Sequence, residues 1–181
     1  LSAYSAVNQG HCHPKIVNAL IQQAQTLALT SRAFYNNVLG KYEQFTSAFF
    51  GFDKLLPMNT GAEAVETALK IARKWAYEVK GIAENEAEII VCENNFHGRT
   101  TTIISFSNDP DARQNFGPFT QGFIRIPYDD LDALREALNA KFLGNEIVCL
   151  DKLDIASGKT KEVAQVLKTL KLKGKVLALL D

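Results

Sequence analysis

The chain has 181 residues, carries 20 basic against 20 acidic side chains, and is 46% hydrophobic. That composition is an ordinary globular domain's, and zero net charge argues against a protein that coats nucleic acid, which needs a basic surface. No apolar run approaches the roughly 20 residues of a membrane helix. The chain opens Leu1-Ser2-Ala3-Tyr4, with no basic leader and no initiator Met, so it is expected to be a piece of something longer without a targeting peptide. The three cysteines, Cys12, Cys92 and Cys149, form no CxxC pair, and the expectation is a reducing, intracellular compartment.

In chain order, Pro14 opens a helical pattern to about Leu29, with Ile16, Ala19, Leu20, Ala24 and Leu27 at helical spacing. A second pattern covers about Val38 to Phe50. Lys54-Leu55-Leu56-Pro57-Met58 reads as a short apolar strand, and Asn59-Thr60-Gly61 as a turn into a helix from about Ala62 to Val79. Glu88 to Cys92 reads as a buried strand, Thr101 to Phe106 as an apolar segment of open type, and Ser107 to Gly122 as a loop. A strand (Phe123–Ile126), a helix (about Asp130–Ala140), a strand (Glu146–Leu150), a helix (about Lys159–Leu170) and a strand (Lys175–Leu180) follow. Strands alternating with helices predict an α/β fold of three layers around a mostly parallel sheet. Ligands in such sheets bind where strands give way to helices, which points to the loops at 59–62 and 93–99.

The run Asn59-Thr60-Gly61-Ala62-Glu63 would hold an anion on the free N–H groups of a helix start. By itself this pattern is also that of a plain capped turn. His11-Cys12-His13 offers metal-ligand residue types, but no further ligand is evident and no metal is assigned.

Four runs together carry a resemblance: Tyr4-Ser5-Ala6-Val7-Asn8-Gln9-Gly10-His11-Cys12-His13-Pro14-Lys15, Leu29-Thr30-Ser31-Arg32-Ala33-Phe34-Tyr35-Asn36-Asn37, Leu56-Pro57-Met58-Asn59-Thr60-Gly61-Ala62-Glu63, and Asn95-Phe96-His97-Gly98-Arg99-Thr100. Over residues 1–139 the chain resembles the ornithine aminotransferases, class III members of the pyridoxal-phosphate transaminases. The resemblance implies part of the large domain of that fold type and pyridoxal 5'-phosphate as cofactor. It implies a homodimer with sites at the subunit interface, and a location in the cytoplasm, or in the mitochondrial matrix of a eukaryote. Thr60, Gly61 and Ala62 match the phosphate cup, Phe96 the aromatic that stacks on the cofactor ring, Arg99 the arginine for a substrate carboxylate, and Tyr4 a tyrosine of the substrate pocket. The family commonly has Trp where this chain has His97. The implied reaction passes the δ-amino group of ornithine to 2-oxoglutarate.

The family's Glu-Pro motif, the aspartate that pairs with the pyridine nitrogen and the cofactor-binding lysine have no matching context here, so no catalytic residue is assigned and the chain as it stands is expected to be inactive. Residues 131–181 resemble instead the C-terminal part of the bacterial large-subunit ribosomal protein L-four, through Ala133 to Lys141, Glu146 to Asp151, Lys159 to Val163 and Lys175 to Asp181. Charge changes at the same place: residues 1–139 hold 12 basic and 15 acidic side chains, residues 140–181 hold 8 and 5. The pattern reads as a chimeric or artificial chain, ahead of a truncated and diverged natural one. A non-catalytic α/β scaffold and an RNA-binding module over 140–181 stand as alternatives to the aminotransferase reading, the latter weakened by a single aromatic, Phe142, in that stretch.

Overall fold

The computed structural model describes residues 3–31, 33–140 and 148–149. The chain divides into two compact units, residues 1–56 and 57–181. The first holds α1 (Pro14–Thr26) and α2 (Leu39–Phe50). Proline starts α1, where its missing N–H costs nothing. The helix ends three residues before the expected Leu29, because Leu27 turns extended, and none of its residues is buried. The Asn36 carboxamide accepts the N–H groups of Val38 and Leu39 at the start of α2, and Gly51, in the left-handed region, closes its end.

The second unit builds a three-stranded parallel sheet. Its elements are α3 (Gly61–Glu78), β1 (Ile89–Cys92), α4 (Thr101–Ser105), α5 (Pro110–Arg113), β2 (Phe123–Ile126), α6 (Leu131–Ala140) and β3 (Val148–Cys149). The order is β2-β1-β3, and Ile89 pairs with Phe123 on one side and Val148 on the other. The centre strand, Ile-Ile-Val-Cys, is apolar at every position because both its faces are covered. Ile89 and Val91 pack with Val65, Leu69 and Ala72 of α3, Ile103 of α4 and Phe106. Ile90 packs with Ile126, Leu134 and Leu138 on the α6 side. Alternation along a strand thus sorts α3 and α4 to one face and α6 to the other, the expected three layers.

Two expectations change. The run 54–58 forms no strand: Pro57 has no N–H to give a ladder, and Met58 instead accepts the Thr67 hydroxyl through its sulfur. The loop 107–122 contains α5, started by Asp109, whose carboxylate accepts the Asp111 N–H. The open segment at 101–106 is α4. The expected helix at 159–170 and strand at 175–180 lie outside the described residues, as does most of the strand expected at 146–150.

Candidate functional site

The sheet's carboxyl end and the start of α3 bring together five of the residues singled out from the sequence: Thr60, Gly61, Ala62, Phe96 and Arg99. Thr60 is the N-cap of α3, and its hydroxyl oxygen accepts the Glu63 N–H at 3.1 Å. The Glu63 carboxylate reaches back to accept the Asn59 N–H at 2.9 Å. This is a capping box shifted by one donor, and Thr-x-x-Glu was its signal in the sequence. With Ala64 bonded to the Thr60 carbonyl, the N–H groups of Gly61 and Ala62 have no partner among the described residues. Two unsatisfied donors at the positive end of an 18-residue helix form a cradle for an anion. The Thr60 oxygen accepts while its proton remains available to donate to that anion.

The loop after β1 is laid against this helix start. Gly98 has φ +130°, and a Cβ there would stand 3.0 Å from the Ala62 Cβ and 3.0 Å from the Ile103 Cδ1. Only a glycine allows the loop so close. Two residues on, the Thr100 hydroxyl donates to the Glu66 carboxylate at 2.5 Å and accepts the Ile103 N–H at 3.4 Å as N-cap of α4. Phe96 and Arg99 ride on this anchored loop. Phe96 is 68% exposed, and the Arg99 guanidinium lies 5.9 Å from its ring centre, within cation–π range. His97, between them in sequence, is half-buried with its ring 6.0 Å from that of Phe106.

Phe96, His97 and Arg99 open onto a cleft of about 470 Å³, whose far wall includes Asp109, Asp111 and Phe116. Its two sides are tied by a reciprocal amide pair: Asn108 accepts the Asn94 N–H at 2.8 Å and donates to the Asn94 carboxamide oxygen at 3.1 Å. Below it, Arg113 donates to the carbonyls of Ile104, Ser105 and Ser107 and stacks 3.9 Å over Phe119, closing the C-terminal end of α4. The cleft is therefore lined by the exposed aromatics Phe96 and Phe116, by the Arg99 cation and by the carboxylates of Asp109 and Asp111.

Tyr4 belongs to the first unit, in a left-handed run Ala3-Tyr4-Ser5 with φ between 48° and 72°. Its side chain is fully exposed. Among the described residues no group of three His, Cys, Asp or Glu side chains stands close enough to hold a metal ion, and no helix is long and apolar enough to cross a membrane. Sequence reading missed Glu63, Glu66, Gly98 and Thr100; Gly98 between two singled-out residues was the visible signal for the close approach.

The family model for aminotransferase class-III matches residues 1–167. The match crosses residue 139 and takes in residues 140–167, part of the segment expected from the sequence to resemble a ribosomal protein, a likeness that none of these matches supports. The mitochondrial ornithine aminotransferase of Drosophila ananassae is 64% identical over 138 residues, which are 76% of this chain and 32% of that protein. The crystal structure of the ornithine aminotransferase from Toxoplasma gondii ME49 superposes with a TM-score of 0.85 at 43% identity, over 98% of this chain and 42% of that one. The acetylornithine aminotransferase from Elizabethkingia anophelis does so with a TM-score of 0.72 at 50% identity, over 98% and 41%. The chain spans about a third of the length of the relatives it matches.

Proposed function

The chain belongs to the class-III aminotransferases, and we propose that it carries the cofactor-gripping part of an ornithine δ-aminotransferase, which moves the δ-amino group of ornithine to 2-oxoglutarate. Class-III aminotransferases use pyridoxal 5'-phosphate, which supplies the electron sink for the carbon that loses its proton. The residues present fit that group. The observation that carries the reading is the pair of unpartnered N–H groups on Gly61 and Ala62, held open by the Thr60–Glu63 cap. A Cβ on Gly61 would meet nothing within 4 Å, so the chain's own packing makes no demand for glycine there and leaves the space beside this N–H open.

In this reading Thr60, Gly61 and Ala62 hold the phosphate, and Phe96 offers its exposed face to the ring. Arg99 receives a substrate carboxylate, for which its planar fork suits two parallel bonds, and Tyr4 keeps the substrate-binding role that the family resemblance implies. No residue is assigned to the proton transfer at the substrate carbon. The names of the relatives support ornithine as the amino donor; the acetylornithine enzyme supports N-acetylornithine as the second reading. A homodimer, a location in the cytoplasm or mitochondrial matrix, and a division of the chain at residue 139 belong to the same proposal.

Gly61→Pro tests the phosphate cup. Proline suits the first position of a helix, and Thr60 is already extended at φ −141°, ψ 161°, as a residue before proline must be. The substitution deletes one N–H and leaves the fold, which should keep its melting temperature or gain from the stiffer chain by about 0.4–1 kcal/mol. Affinity for pyridoxal phosphate, followed by visible absorbance, should fall about tenfold or more, the worth of one bond to a charged group. Unchanged affinity in the folded variant would refute the assignment.

A further inference from the structure

We propose that Glu66 is a positioning residue for Arg99, acting through the Thr100 hydroxyl; the inference rests on the carboxylate-binding role given to Arg99 above. Arg99 sits between two anchors that both end on the first two turns of α3. On one side, Gly98 packs its backbone on Ala62. On the other, Thr100 donates to Glu66 at 2.5 Å across 34 residues of sequence. A hydroxyl has one proton and two lone pairs, and an ionised carboxylate only accepts. Glu66 therefore takes the Thr100 proton and turns a lone pair toward the Ile103 N–H, the first donor of α4. One side chain so fixes the torsion of Thr100, the start of α4 and the direction in which the neighbouring Arg99 leaves the loop.

The geometry also separates this role from the phosphate cup. Gly61 and Ala62 are held by the Thr60–Glu63 cap, which uses neither Glu66 nor Thr100. Loss of the Glu66–Thr100 bond should leave the cup intact and let Arg99 drift. The half-buried positions of both partners keep water from replacing the bond freely.

The test uses two probes on the folded chain: glutarate, a dicarboxylate, by calorimetry, and pyridoxal phosphate by absorbance. Glu66→Ala should weaken glutarate about tenfold and pyridoxal phosphate less than twofold. Glu66→Gln, whose amide oxygen still accepts the Thr100 proton, should recover most of the loss, which a role resting on charge alone would not do. Thr100→Val should weaken glutarate equally, and the double variant Glu66→Ala with Thr100→Val should lose no more than either single one. Glutarate binding unchanged in Glu66→Ala, an equal loss of both probes, or additive single losses would overturn the proposal. Arg99→Ala on its own tells the two claims apart: if it leaves glutarate binding untouched, the role of Arg99 falls and Glu66 with it; if it abolishes binding while Glu66→Ala does nothing, only the positioning role falls.

Discussion

Gly98 shows how a single residue sets the site. Its φ of +130° is closed to L side chains, and any Cβ would press on Ala62 and Ile103 at 3.0 Å. Gly98→Ala should cost about 1–3 kcal/mol from backbone strain, seen as a lower denaturation midpoint, and should weaken ligands of both the cup and Arg99 because the loop must lift off α3. A midpoint shift worth less than about 0.5 kcal/mol, typical of an exposed surface change, would contradict that close contact. Arg99 makes a narrower claim: Arg99→Ala should weaken dicarboxylates while sparing pyridoxal phosphate, since its guanidinium lies beside the Phe96 ring and lines the cleft and the cup is built on backbone N–H groups of α3. At this scale the turn at 59–62 was legible from its own chemistry. Phe96 and Arg99 were not, because an exposed aromatic and an exposed cation look alike in any loop, and only the family resemblance singled them out. The anchors Glu66 and Thr100 lie 34 residues apart, a pairing no local pattern announces.

Among the elements, helix α3 is the best specified. It has a cap, an acidic first turn at Glu63 and an apolar stripe through Val65, Leu69 and Ala72 that meets β1. Its bounds fell one residue from those expected. Thr60→Ala removes the acceptor for the Glu63 N–H and should lower stability by about 1 kcal/mol, measurable in chemical denaturation; no loss would mean that the cap is idle. Strands β1 and β2 were legible as short apolar runs, β2 at its observed bounds. Helix α4, five residues long, is too short to show helical periodicity. Pro57 disguised an irregular approach to α3 as a strand end. The same logic predicts that Ile90→Ala, which opens a hole between β1 and α6, costs about 2–5 kcal/mol and loosens the strand that launches the Phe96 loop.

For the whole molecule, the three layers followed from the alternation of strand and helix and from the unbroken apolarity of β1, which requires cover on both faces. Placement of the family's boundary was harder. The sequence suggested a seam near residue 139, and the class-III match runs across that position to residue 167; the likeness to the ribosomal protein rested on helices rich in Lys between apolar strands, which resemble one another across unrelated families. Net charge is zero and α2 leaves Phe45 and Phe49 exposed, their rings stacked 5.9 Å apart. Charge repulsion therefore gives little protection against self-association. Sedimentation near neutral pH should show a weight-average mass that rises with concentration, and a constant monomer mass over the micromolar range would contradict this.

The most direct measurement is a paired titration of the chain with pyridoxal 5'-phosphate and with pyridoxal, which has the same ring and aldehyde but no phosphate. If the α3 N-terminus is a phosphate cup, pyridoxal phosphate should saturate a single site, inorganic phosphate should compete for it, and pyridoxal should bind at least about tenfold more weakly. Equal binding of the two, or labelling scattered over surface lysines after borohydride reduction, would contradict a cofactor site at Thr60, Gly61 and Ala62.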